Sequence, residues 1–151
     1  MTYLAKPKSN VRVDLLVFNG LSSVSVGTIF TVNDTPKNTT AVINASGHIV
    51  LHDQSSWRLE ANCMCQYSTT SASYEAIWWW YDGTNNLGNR GRMSNASNTQ
   101  LSRGSCSLLL RSSDITNTIT IYPRISNLSG SPNYDGTYTP LPHVRIYEIP
   151  N

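Results

Sequence analysis

The stretch "SWRLEANCMCQY", Ser56 to Tyr67, alternates Trp57, Leu59, Ala61, Cys63, Cys65 and Tyr67 with Arg58, Glu60, Asn62, Met64 and Gln66. A period of two sends one set to each side of an extended chain, so this is a β-strand with one apolar and one nearly polar face. A helix would scatter the same residues around its surface. The flanking sequence follows the same rule. "VRVDLLVF" from Val11 sets Val11, Val13, Leu15 and Val17 against Arg12 and Asp14. "SVSVGTIFTVND" comes next, and then "TAVINASGHIVLHD" splits at "NASG" as a hairpin does.

After a small polar bridge, "STTSAS", an aromatic strand runs from Tyr74 to Tyr81 and ends at the turn residues "DGTNN". "LGNRGRMSNASN" reads as a glycine loop leading into the strand "CSLLLR". "TITIYPRI", the long turn "SNLSGSPNYDGTYTPLP" and the closing strand "HVRIYEIP" complete the chain. About eight or nine short strands bounded by Gly, Asn, Asp, Ser or Pro, with no convincing helical period, predict an all-β protein. Eight strands at this length favour a single-domain, two-sheet antiparallel jelly-roll sandwich. The Cys, Trp, Cys spacing of an immunoglobulin domain is missing. The 151 residues divide into an N-terminal arm, 1–10, and the sandwich, 11–151.

Composition narrows the chemistry. Charged residues make up 13% of the chain against a usual share of about a quarter. The net charge of +2 is spread without a basic stripe, which argues against nucleic acid as a partner. No apolar run is long enough to span a bilayer, and "MTYLAKPKSN" lacks the apolar core of a secretory signal; a soluble protein made in the cytoplasm is expected. Cys63 and Cys65 share a strand face and, with Cys106, read as reduced core thiols. His48 and His52 lie about 13 Å apart on a strand, too far to share an ion, and no ligand set for a metal or cofactor is visible. The Asn-x-Ser/Thr patterns at Asn33, Asn38, Asn44, Asn95 and Asn127 are near chance in so Ser-, Thr- and Asn-rich a chain. The scattered acids form no acid/base pair, so no catalytic residues are assigned and no enzyme is expected.

"EAIWWWYDGTNNLGNRG", Glu75 to Gly91, concentrates the aromatic surface. Alternation sends Tyr74, Ala76, Trp78 and Trp80 to one face and Glu75, Ile77, Trp79 and Tyr81 to the other. Ala76, Trp78 and Trp80 are assigned to the core because Glu75 and the Tyr81 hydroxyl suit a wetter contact. A sandwich strand has one core face. The second aromatic row, Ile77, Trp79 and Tyr81, is therefore expected to meet another molecule. That molecule is either a further copy of the chain or a sugar stacked on the rings, with Asp82, Asn85, Asn86 and Asn89 as hydrogen-bonding partners.

From Trp57 to Pro150 the succession of "SWRLEANCMCQYS", "IWWWYD", "TNNLGNRG" and "HVRIYEIP" resembles jelly rolls of the tumour-necrosis-factor (TNF) and C1q type found in bacteriophage virion proteins. The resemblance implies a homotrimer with the inner sheets gathered on a threefold axis, and a non-enzymatic role in capsid decoration or cementing, head fibres, or receptor-binding fibre tips. With only Thr2 to Asn10 ahead of the first strand, a capsid decoration protein is the expectation. It would be made in the host cytoplasm, carried on the capsid surface of the virion, and have the phage major capsid protein as partner. A fibre tip that binds a host-surface glycan is the alternative. Lys6, Lys8, Asn85, Asn86, Asn89, Arg90 and Arg92 are the expected contacts with capsid or ligand.

Overall fold

The computed structural model describes residues 9–16, 21–23, 25–32, 36, 39–65, 74–95, 102–130, 133–135 and 143–151. Twelve strands occur among them: β1 Ser9–Leu16, β2 Leu21–Ser23, β3 Thr31–Val32, β4 Val42–Ile43, β5 Ile49–His52, β6 Ser55–Cys65, β7 Tyr74–Tyr81, β8 Asn86–Asn95, β9 Ser102–Leu110, β10 Thr118–Ser129, β11 Asn133–Asp135 and β12 His143–Pro150. One 3-10 turn, Ser112–Asp114, lies between β9 and β10. All named pairings are antiparallel. Hydrogen bonding runs β3-β1-β12-β6-β9-β8-β7-β10-β5-β4, with β2 and β11 forming a small separate pair.

That order folds into two layers. β3-β1-β12-β6-β9 forms one and β8-β7-β10-β5-β4 the other, and their inward rows meet in a single core. Trp57, Leu59, Ala61, Cys106, Leu108, Val144 and Ile146 come from the first layer, and Ile49, Leu51, Ala76, Trp78, Trp80, Met93, Ile121 and Ile125 from the second. The alternation read in β6 and β7 is therefore the alternation of this core: Trp57, Leu59 and Ala61 are buried while Arg58 is exposed, and Ala76, Trp78 and Trp80 are buried while their neighbours are not.

The layers are tied at both sides. At one side Asn89 pairs with Ser107, and Gly88, at φ +72°, lets the β8 backbone come against the Ser107 carbonyl. At the other, the Val32 N–H donates to the Gly47 carbonyl (2.8 Å), joining β3 to the β4–β5 hairpin. That hairpin turns at "NASG" as its sequence predicts, with Asn44 Oδ1 accepting from the Ser46 and His48 N–H groups. The edge strands β3 and β4 are two residues long, which leaves little unpaired backbone for a foreign strand.

Four sequence expectations are corrected. Pairing in β1 begins at Ser9, opposite Glu148, two residues inside the assigned arm; the rest of the arm, with Lys6 and Lys8, lies outside the described residues. The supposed glycine loop from Leu87 is strand β8, because Gly91 is buried where β8 passes Trp78 and only a residue without a side chain fits. The long turn after Ile125 is shorter than read: β10 continues through a bulge at Ser126 to Ser129, and Asn133–Asp135 pairs with β2. "SVSVGTIFTVND" is no single strand. It turns at Val26 and Gly27, and the chain then bonds along β10 through Phe30 N–H to the Pro123 carbonyl (2.9 Å) before entering β3. Cys106 is a buried free thiol whose pKa burial pushes up to about 12, whereas the side chains of Cys63 and Cys65 fall outside the described residues.

Among the described residues Glu148 is the one acid in a core row, on the same side of β12 as Val144 and Ile146, and only 2% exposed. Its carboxylate accepts from Thr39 Oγ1 (3.0 Å), Thr40 N–H (2.9 Å), Thr40 Oγ1 (2.9 Å) and Ser55 Oγ (3.0 Å). Burial alone would raise its pKa, but these four donors outweigh it and hold the carboxyl below its usual range. A folded-state pKa below the unfolded one gives stability that is present above the unfolded value, about 4.5, and is lost as pH falls through the folded value.

Two measurements check these packing arguments. Gly91→Ala places a methyl against the Trp78 indole, 2.6 Å from Nε1, and should cost about 1–3 kcal/mol in chemical denaturation, the overpacking range. An unchanged midpoint would refute the contact. Glu148→Gln strips acceptor capacity from buried hydroxyls and should cost about 1–3 kcal/mol at neutral pH. It should also flatten the loss of melting temperature that the wild type shows below pH 4.5, and a variant with the same acid profile as the wild type would remove Glu148 from that role.

Candidate interaction surface

The layer β8-β7-β10-β5 turns its second face outward, and β7 runs through its middle. Cross-strand register places Tyr122 opposite Tyr81, Arg124 opposite Trp79 and Asn127 opposite Ile77 on the β10 side. On the β8 side it places Asn86 opposite Tyr81 and Arg92 opposite Ile77. In antiparallel pairs, residues directly opposite share a face. Ile77, Trp79, Tyr81, Asn86, Tyr122, Arg124 and Arg92 therefore lie on one continuous surface. Ile77, Trp79, Tyr81, Tyr122 and Arg124 are half-buried, while Asn86 and Arg92 are exposed.

The rings form a row. His48 lies against Tyr122 with centroids 4.1 Å apart, and Tyr122 against Tyr81 at 5.7 Å. The Arg124 guanidinium sits 4.5 Å from the Tyr81 centroid, in cation–π range. One flank of Arg124 is the turn Ser25 to Thr28, closed by Thr28 N–H to the Ser25 carbonyl (3.0 Å) and Ser25 N–H to Thr28 Oγ1 (3.0 Å). A Cβ on Gly27 would lie 3.8 Å from Arg124 Nη2. Partial burial holds the His48 pKa below its ordinary value.

The described anionic groups near this surface, Glu75 and Asp82, are engaged. Glu75 accepts from Arg92 Nη2 at 3.1 Å. Asp82 closes the β7–β8 hairpin, its Oδ1 accepting from the Thr84 (2.7 Å) and Asn85 (2.6 Å) N–H groups. Those bonds outweigh slight desolvation and hold its carboxyl below the usual range. Asp82 and Asn85 thus build the turn, and the Asn85 amide lies 3.5 Å from Asp82 Oδ2. Asn89 turns away from the aromatic row to the seam between the layers, donating to Ser107 Oγ at 3.4 Å. Arg90 is exposed beside it.

Of the expected contacts, then, Ile77, Trp79, Tyr81, Asn86 and Arg92 lie on one face, Asn85 lies in the hairpin turn, Asn89 bonds at the seam between the layers, and Arg90 is exposed in the β8 stretch opposite Trp79. Sequence reading missed Tyr122, Arg124 and His48. The signal for the first two was present: in "TITIYPRI" the apolar set Ile119, Ile121, Pro123 and Ile125 alternates with Thr120, Tyr122 and Arg124. His48 follows a turn and carried no periodic signal. Among the described residues no group of three His, Cys, Asp or Glu gathers as a metal ion requires.

Comparison with known proteins places the architecture. The TNF protein Eiger of S. frugiperda superposes with a TM-score of 0.57 at 9% identity, over 97% of this chain and 95% of that one. Murine APRIL, whose crystal structure was determined at pH 5.0, superposes with a TM-score of 0.50 at 8% identity, over 93% of this chain and 99% of the other. The fold is a TNF-like jelly roll. No protein-family model matches the sequence, and no curated protein matches it. At such identities the likeness concerns the fold, and the face built on β7 and β10 is argued from this chain's own residues.

Glu75→Gln tests how much the ion pair contributes. With the Arg92 and Glu75 side chains 56% and 34% exposed, its loss should change stability by no more than about 0.5 kcal/mol. A loss of several kcal/mol in a denaturant titration would mean that the pair is structural.

Proposed function

We propose that this chain is a non-enzymatic structural protein of a bacteriophage virion, a homotrimer that decorates or cements the capsid surface. In this reading the outward row Ile77, Trp79 and Tyr81 is a contact between copies. The observation that carries it is that row itself. β7 already commits Ala76, Trp78 and Trp80 to the core, yet it presents a second set of large side chains on a face that nothing in a single copy covers completely. Aromatic side chains bury about 150–250 Å² each, so removing two half-exposed rings from water in an assembly is worth a few kcal/mol at about 25 cal/mol per Å². Identical copies are the most economical source of that cover, since closed symmetric assembly is the common form of soluble oligomers.

The TNF-like jelly-roll fold supports a binding or structural role. Virion origin and the capsid partner rest on the sequence resemblance. Lys6 and Lys8 are the residues proposed to reach an acidic shell, and the major capsid protein is the partner proposed.

Native mass spectrometry is the test. Three copies should be seen, and Trp79→Glu should yield a monomer with an unchanged circular dichroism spectrum. A wild type that runs as a monomer at micromolar concentration, or a trimer indifferent to Trp79→Glu, would overturn the interface. Co-sedimentation with purified capsids tests the partner.

A further inference from the structure

Arg124 differs from Arg58 and Arg92. Arg58 pairs with Glu60 and Arg92 with Glu75, whereas no carboxylate among the described residues reaches Arg124. It is half-buried, its guanidinium is held against the Tyr81 ring, and the Ser25 to Thr28 turn stands beside it. Among the described residues the two acids close to this face are both spoken for, Glu75 by Arg92 and Asp82 by the N–H groups of its own turn. The surface is thus left with a partly desolvated, oriented cation embedded in a row of three rings. That is charge complementarity toward an anion carrying an apolar or C–H-rich face.

We propose that the Tyr81 end of this face is a subsite for a carboxylate-bearing sugar. Arg124 takes the carboxylate through its planar pair of N–H donors, the geometry in which guanidinium binds carboxylate best. Tyr122, flanked by His48 and Tyr81, offers the stacking surface for the pyranose C–H groups. Asn86, exposed and opposite Tyr81, supplies an amide to ring hydroxyls. A few convergent polar groups on an aromatic floor are what fixes the orientation of a small polar ligand. Binding is noncovalent and leaves the sugar unchanged.

The subsite is argued from different residues than the assembly proposed above, and the two share Tyr81. Contact between copies is assigned to Ile77, Trp79 and Tyr81. The sugar uses Arg124, Tyr122 and His48, with Tyr81 beneath the guanidinium.

The test uses the full chain on an array carrying sialyllactose, its methyl ester, lactose and oligogalacturonate, with native mass measured on the same preparations. Sialyllactose or oligogalacturonate should be retained, and lactose and the ester should not. Arg124→Met preserves the packing length over Tyr81 and should lower retention at least tenfold, as should Tyr122→Ala, with the copy number and circular dichroism of both unchanged. Arg124→Lys should recover part of the binding. Retention of lactose equal to sialyllactose would overturn the role of Arg124, and absence of any retention would overturn the subsite. A change of copy number in Arg124→Met would also overturn it, because the cation would then be serving a second copy of the chain. Failure of Trp79→Glu to alter copy number bears on the assembly alone.

Discussion

The contact on which this fold depends is the passage of two glycines across Trp78. The indole is fully buried between the layers. A Cβ on Gly91, in the neighbouring strand β8, would fall inside contact distance of its five-membered ring, and one on Gly104, in β9 of the facing part of the sandwich, would sit 2.6 Å from Cη2. One large ring is therefore accommodated by the absence of two side chains, and it fixes β7 against β8 and β9 together. Close packing of this kind makes the spacing between the layers a property of three residues rather than an average over the core. It has a cost: among the described residues the Nε1–H of Trp80 finds no acceptor and that of Trp78 has only the Cys106 sulfur beside it, while Trp57 donates to the His52 carbonyl at 2.9 Å. A buried donor without a partner is unfavourable by about 1–3 kcal/mol, so the area these rings bury must more than offset it.

The same constraint explains which parts of the fold were legible. Alternation made β6 and β7 readable as strands, and Glu75 and the Tyr81 hydroxyl marked which row of β7 stays out of the core. β8 was unreadable for the reason that makes it work. The glycines demanded by Trp78 and by the seam at Ser107 remove the apolar residues by which a strand announces itself, leaving "LGNRGRM" to look like a loop. Register was illegible for a different reason. It depends on bulges, Ser126 in β10 and the Gly88 to Arg90 stretch opposite Trp79 in β8, and these become visible only once partner strands are known. Hence Ile77, Trp79 and Tyr81 could be placed on a face from sequence, but not the Tyr122 and Arg124 that complete it.

Glu148 shows how the end of the sandwich is finished. Among the described residues this inward carboxylate meets no cation, and its charge is held by hydroxyl and amide dipoles from two separate stretches, Thr39 to Thr40 and Ser55. Those stretches precede β4 and open β6, one from each layer, so the acid draws both layers together where the apolar core runs out. Buried charge is tolerable when hydrogen bonds replace hydration. The abundance of Ser and Thr in this chain, which at first reads only as turn chemistry, supplies the donors.

The outward face of β7 follows from the inward one. With Trp78 fixed by two glycines and Trp80 buried beside it, β7 cannot slip in register without emptying the core, so Trp79 and Tyr81 are held outward whatever the solvent prefers. The chain limits the exposure this imposes by stacking Arg124 over Tyr81 and Tyr122 against His48, which keeps the rings half-buried in a single copy. A guanidinium is suited to that position because it covers an aromatic face while keeping its in-plane donors toward water. The cover is thereby also a recognition group. A second copy and an acidic sugar would meet the same row from opposite ends, and both need Tyr81, so occupancy of one end constrains what the other can hold.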